Sequence, residues 1–128
     1  MAAIADIDYH YRLTILAITG ELGFEKIAAL GRYIAEPGQE LAEVDIAVGR
    51  EYRRLGLGLH ILEILFAAAE KKGFRGIKAV VNYDNPRMIM LLKKMGYNMQ
   101  ATLSQGVYEI EMRFDEKSDD PSFVITYA

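Results

Sequence analysis

The stretch that decides the fold is Val44-Asp45-Ile46-Ala47-Val48, followed at once by Arg53-Arg54-Leu55-Gly56-Leu57-Gly58 and a helix beginning near Leu59. The first run reads as an apolar strand. In the last, Leu55, Leu59, Leu62, Phe66 and Ala69 recur at helical spacing, while His60, Glu63 and Glu70 fall elsewhere on the wheel. Between them stand two arginines and two glycines. Glycine lets the backbone approach a ligand closely, and the first amides of a helix have no partner inside it. Arginine adds fixed charge in a planar fork suited to phosphate. The run is therefore an anion cradle whose guest bears phosphate.

Working outward, residues 9–19 are β-rich, and Gly20-Glu21-Leu22-Gly23 turns the chain into a second strand through Ile27, Ala29 and Tyr33. Glu36-Pro37-Gly38 is a turn before a third strand over 40–48. The first helix closes at Gly73, with Lys71 and Lys72 in its last turn. Residues 77–81 form a continuous apolar run, the mark of a central buried strand. Asn85-Pro86 then supplies an N-cap and a first-turn proline, and Gly96 a C-cap, bounding a helix over 86–95. Strands follow near 98–102 and 107–114, turning at Ser104-Gln105-Gly106, with a last one at 123–127. The order βββ-α-β-α-ββ predicts an α/β (α+β) fold on a mixed central sheet, antiparallel first and crossing over through helices later.

At 128 residues the chain is expected to be a single domain, 1–128, with an acidic loop and short strand over 115–128. A net charge of −3 offers no electrostatic footprint for nucleic acid. The longest apolar helix carries His60, Glu63, Glu70 and Lys71 and cannot span a bilayer. The N-terminus lacks the pattern of a signal peptide. Cysteine is absent, which excludes disulfides and thiolate chemistry and fits a cytoplasmic location. His10 and His60 lack the carboxylate spacing of a metal site, so no metal is expected. Met88, Met90, Met95 and Met99 read as core filler.

A dinucleotide fingerprint would need a third glycine where Ile61 stands, and a P-loop would need Gly-Lys-Ser/Thr. Both are excluded. Alone, a Gly-x-Gly pair signals little more than a helix start that packs closely. Two blocks together carry more. Arg53-x-x-Gly56-x-Gly58 after a strand resembles the (Gln/Arg)-x-x-Gly-x-(Gly/Ala) motif of the GNAT superfamily of N-acetyltransferases. The block from Asn85-Pro86 to Lys94-Met95-Gly96-Tyr97, one αβ unit on, is similar to that family's second motif helix. The resemblance covers about residues 9–114. It looks closest to the acetyltransferase domains of bacterial protein-lysine acetyltransferases, a match supported by Ile7-Asp8-Tyr9 and by Ala42-Glu43.

The resemblance implies acetyl-CoA as co-substrate, its pyrophosphate held by Arg53, Arg54, Leu55, Gly56, Leu57, Gly58 and Leu59. The pantetheine arm would lie against main-chain groups of Ile46, Ala47 and Val48, with an amide near Val48 polarising the thioester carbonyl. Asn85 would lie near that arm, although helix capping accounts for it equally. Glu43 is implied as the general base. An amine with a pKa near ~10.4 must lose a proton before attack, and Glu43 and Asp45 alternate onto one strand face, roughly 7 Å apart. Many family members carry a tyrosine acid where this chain has Leu92, and Tyr83 and Tyr97 read as packing residues. The family's first strand and helices are expected to be missing, leaving apolar sheet surface for a homodimer partner or an attached larger protein. The function implied is acetyl transfer to a primary amine, a protein lysine above all. The alternatives are a non-catalytic acyl-CoA-binding regulatory domain and a small-amine acetyltransferase.

Overall fold

Turn and cap residues set the element order, and the strands then find their partners. The computed structural model describes the backbone of residues 2–5 and the whole of residues 11–128. Its elements are β1 (Ala2–Ala5), β2 (Arg12–Thr19), β3 (Lys26–Ile34), β4 (Leu41–Val48), α1 (Leu57–Lys71), β5 (Gly76–Asn82), α2 (Pro86–Lys94), β6 (Met99–Ser104), β7 (Val107–Arg113) and β8 (Phe123–Tyr127). The strands form one mixed sheet in the order β1-β2-β3-β4-β5-β7-β6-β8. β1 to β4 are antiparallel, β4 and β5 are parallel, and β8 runs parallel to β6. This is the mixed α/β architecture expected from the element order.

One expectation needs correction. A strand precedes β2 after all: β1 pairs with it antiparallel, Ala2 opposite Ile18 and Ala5 opposite Ile15. Ala-Ala-Ile-Ala has little intrinsic strand preference, so the pairing comes from its neighbour and leaves no local signature. Ile7, Asp8, Tyr9 and His10 lie outside the described residues.

Alternation along each strand puts one sheet face into the core. β2 contributes Leu13, Ile15 and Ala17, β4 Ala42 and Val44, and β5 Ile77, Ala79 and Val81. Ile61, Leu62, Leu65 and Phe66 of α1 and Leu92 of α2 close over them in one cluster. Gly31 makes the approach of α1 workable, because a methyl there would collide with Ile61 Cγ2. Phe66 also meets the rings of Tyr97 at 5.9 Å and Phe114 at 6.1 Å.

The other sheet face divides in two. On β2 and β3 it shows the half-buried apolar residues Leu16, Ile18, Leu30 and Ile34, whereas toward β6 and β7 it shows Gln100, Thr102, Glu109 and Glu111, all exposed. A further break matters for the site. β4 and β5 pair only through Leu41 with Gly76, Ala42 with Ile77 and Glu43 with Lys78. Beyond Glu43 the two strands part, and the sheet opens into a cleft. No helix among the described residues is long and apolar enough to cross a membrane.

Candidate active site

The cradle is built at the start of α1. After β4 a single 3-10 turn, Arg50–Tyr52, is held by Tyr52 N donating to Gly49 O at 2.8 Å. Arg54 (φ 66°) and Gly56 (φ 80°) then adopt left-handed backbone, which aims the chain into the helix. For arginine that conformation costs about 1–2 kcal/mol, and such outliers gather at functional sites. Gly56 is the N-cap of α1, so no side chain caps the helix, and its first turn holds no acid. The first intrahelical bond runs from His60 N to Gly56 O at 3.0 Å. The amides of Leu57, Gly58 and Leu59 therefore have no acceptor within the helix. Gly58 also has a packing role: a Cβ there would stand 3.0 Å from Leu91 Cδ1 and 3.5 Å from Ile46 Cδ1.

These amides open onto a cleft of about 790 Å³ between β4, α1 and α2. β4 supplies Ile46, Ala47 and Val48, and the loop supplies Arg53, Arg54 and Gly56, followed by Leu57, Gly58 and Leu59 of the helix. Arg53 Nε donates to Val48 O at 3.4 Å, which ties the loop to the end of β4. Leu55 stands apart, 65% exposed and off the cleft wall. Asn85 reaches the wall, and its Oδ1 accepts from Met88 N at 3.3 Å, so it caps α2.

Sequence reasoning overlooked the opposite wall. It is formed by Arg87, Met88, Met90, Leu91 and Lys94 of α2, and Tyr52 of the 3-10 turn also lines the cleft, on the side of the cradle. Met90 is 55% exposed, so the reading of that methionine as core filler is corrected. The signal was there in the helical spacing of Arg87, Met90, Leu91 and Lys94. Among the described residues four cations line the cleft and no carboxylate does, in a chain whose net charge is negative.

On the opposite face, at the point where β4 and β5 part, lies a smaller hollow of about 160 Å³ lined by Arg32, Ile34, Glu43, Val44, Asp45 and Val80. Glu43 is half-buried with Lys78 as its cross-strand partner, and Asp45 is exposed opposite Arg32. Leu92 is fully buried, so residue 92 faces the core and not the cleft. Tyr97 packs among aromatic rings, and burial, then the Glu70 carboxylate, raises its phenol above the usual range. Tyr83 is 64% exposed, which corrects its reading as a packing residue. His60 is exposed. Among the described residues no cluster of three or more potential ligands could hold a metal.

Known proteins share this fold. The profile of the acetyltransferase (GNAT) family matches residues 4–97. The chain is 35% identical over 82 residues to Probable N-acetyltransferase 14 of Xenopus tropicalis, a match covering 62% of this chain and 40% of that protein. It is 36% identical over 64 residues to the ribosomal-protein-alanine N-acetyltransferase of Escherichia coli, covering 50% of this chain and 43% of that one. The matches thus span less than half the length of these curated relatives. Among solved structures it superposes on the GNAT domain of S. lividans PAT with a TM-score of 0.71 and 25% identity, covering 85% of this chain and 64% of that chain. On the cAMP-binding acyltransferase of Mycobacterium smegmatis the TM-score is 0.66 at 25% identity, covering 89% of this chain and 35% of that one. With the family profile matched over residues 4–97 and the motif loop folded onto an uncapped helix start, this chain belongs to the acetyltransferase (GNAT) family.

Proposed function

We propose that residues 1–128 act as one cytoplasmic domain that transfers an acetyl group from acetyl-CoA to a primary amine, with a protein lysine as acceptor. One observation carries the reading: the parting of β4 from β5 places a cation-lined cleft on one sheet face and two carboxylates on the other. A donor held on one side and an amine arriving from the other would meet across that gap. The ribosomal-protein acceptor in the name of the Escherichia coli relative supports a protein substrate.

The free amides of Leu57, Gly58 and Leu59, with Arg53 and Arg54, bind the pyrophosphate. The main chain of Ile46, Ala47 and Val48, unpaired on its β5 side, takes the pantetheine arm as a further strand would be taken. Acetyl-CoA supplies the activated thioester. Asn85 holds the start of α2 against the arm. Glu43 accepts a proton from the incoming ammonium and frees its lone pair for attack on the thioester carbonyl, with Asp45 attracting the cation to the hollow. The C–N bond forms as the C–S bond breaks, and the departing CoA thiolate takes up the proton the amine then sheds. Half-buried Leu16, Ile18, Leu30 and Ile34 support a homodimer or an attached domain on that half of the sheet.

The test joins calorimetric titration with acetyl-CoA to free-thiol release over lysine peptides and small amines. Glu43→Gln is expected to lower turnover roughly 100-fold while leaving affinity within about twofold. Equal turnover in that variant removes Glu43 from the mechanism. Binding with no turnover on any acceptor replaces the enzyme reading with a regulatory acyl-CoA-binding domain.

A further inference from the structure

The hollow on the carboxylate face is ordered in two rows that run across the strands. In one, Ile34 pairs with Glu43 and Glu43 with Lys78. In the other, Arg32 pairs with Asp45, and Val80 stands two residues beyond Lys78, where β5 has left β4. Each carboxylate thus has a cation on one side and an aliphatic side chain on the other. The cations offset the charge of their acidic neighbours across the strands. The aliphatic pair has no such role. Val80 is 56% exposed, and its outward neighbours on β5 and β7 are Lys78, Asn82 and Glu109. A lone exposed valine on a strand is ordinary. One that faces Ile34 across two carboxylates, in the wall of a hollow, asks for an aliphatic ligand.

Dimensions describe that ligand. Adjacent strands lie ~4.8 Å apart, so Ile34 on β3 and Val80 on β5 stand roughly 10 Å apart with β4 between them. A polymethylene chain touching both walls needs about 8–9 Å, because apolar contacts close at ~4.0–4.5 Å on each side. The hollow measures about 160 Å³. A cavity of ~150 Å³ takes benzene, a ligand of about six heavy atoms. An unbranched stem ending in an ammonium group has that size. An α-amine branches at its first carbon and would bring a carbonyl group and a side chain between the same walls. We infer that Ile34 and Val80 form a slot for the aliphatic stem of the acceptor, so that the site selects an ε-amine on an unbranched chain over an α-amine. The inference rests on the acetyl-transfer reading above and adds two specificity-determining residues to it.

Free-thiol release from acetyl-CoA over unbranched alkylamines, from ethylamine to hexylamine, tests it directly. Their ammonium groups titrate alike, so stem length is the variable. In the unaltered protein kcat/KM is expected to rise about two- to fourfold per methylene and to level off once the stem outgrows the hollow. Nα-acetyl-lysinamide should exceed alaninamide by roughly 30-fold or more. Deprotonation alone would give the opposite order, since an α-amine has a pKa of about 8 and an ε-amine one of about 10.4. Val80→Thr keeps the branched shape and strand preference but adds a hydroxyl, and should cut the gain to less than about twofold per methylene. Adding Ile34→Thr should make the series nearly flat. Acetyl-CoA affinity, read on the other sheet face, should stay within about twofold in both variants. Because Val80 is exposed, the single variant is expected to melt with the unaltered protein. A flat series in the unaltered protein, a preference for alaninamide, or an undiminished gain in Val80→Thr overturns the inference while leaving acetyl transfer intact. Turnover of no amine overturns both.

Discussion

The two helices begin in opposite ways. α2 closes its own start: Asn85 Oδ1 accepts from Met88 N at 3.3 Å, and Pro86 occupies a position where no donor is needed. α1 starts at a glycine with positive φ, with no side-chain cap and no acid in its first turn. An N-cap side chain stabilises a helix by about 0.5–2 kcal/mol, so α1 forgoes an available gain. Its core contacts through Ile61, Leu62 and Leu65 hold the helix without it. A helix that packing already secures can leave its amides open, and here they open at the motif glycines.

The comparison breaks most severely at Gly58. Valine there would drive its branches into Leu91, Ile46 and Val48 and fill the mouth of the cleft. Acetyl-CoA affinity should fall more than about 100-fold, and overpacking should cost about 1–3 kcal/mol of stability, read by titration and by thermal melting. Retained affinity would mean that the ligand does not approach the start of α1. A milder change makes α1 resemble α2. Gly56→Asp puts a residue that tolerates left-handed backbone where nothing lies within 4 Å of the new Cβ. Its carboxylate would give the open amides an internal acceptor and repel the pyrophosphate. Affinity should drop roughly tenfold with the melting temperature nearly unchanged, and unchanged affinity would place the anion elsewhere.

The difference between the two starts also explains what could be read from sequence. Gly56, Asn85, Pro86, Gly73 and Gly96 act through local backbone chemistry, so the helices, turns and cradle were legible from neighbouring residues alone. β2 to β8 showed themselves by alternation or apolar runs. What escaped depends on partners distant in sequence. β1 is a strand because β2 accepts it. Leu92 faces the core and Met90 the cleft, a distinction set by which side of α2 meets the rest of the fold, not by residue type. The cationic wall was missed because Arg87 and Lys94 gain meaning only when α2 is brought opposite the cradle. The parting of β4 and β5 likewise has no local code, since it appears only in the register between strands on either side of α1.

The smallest expected effect on binding is the sharpest test of the comparison, because it separates a cap from a ligand contact at Asn85. Asn85→Ala removes the acceptor for Met88 N and should cost about 1 kcal/mol of stability. In a domain of this size that lowers the melting temperature by roughly 4 °C. If Asn85 serves the site only by fixing the start of α2, acetyl-CoA affinity should change less than about twofold, since Pro86 still sets the first turn and Leu92 still anchors the helix in the core. Asn85→Asp should then restore the melting temperature, because aspartate caps as well as asparagine. It would also bring a negative charge to the cleft wall. A loss of affinity in the aspartate variant alone would show that the wall senses charge at residue 85 without a contact from the amide. A loss of about tenfold or more in the alanine variant would show instead that the amide itself touches the bound arm, and α2 would then share with α1 the work of holding the ligand.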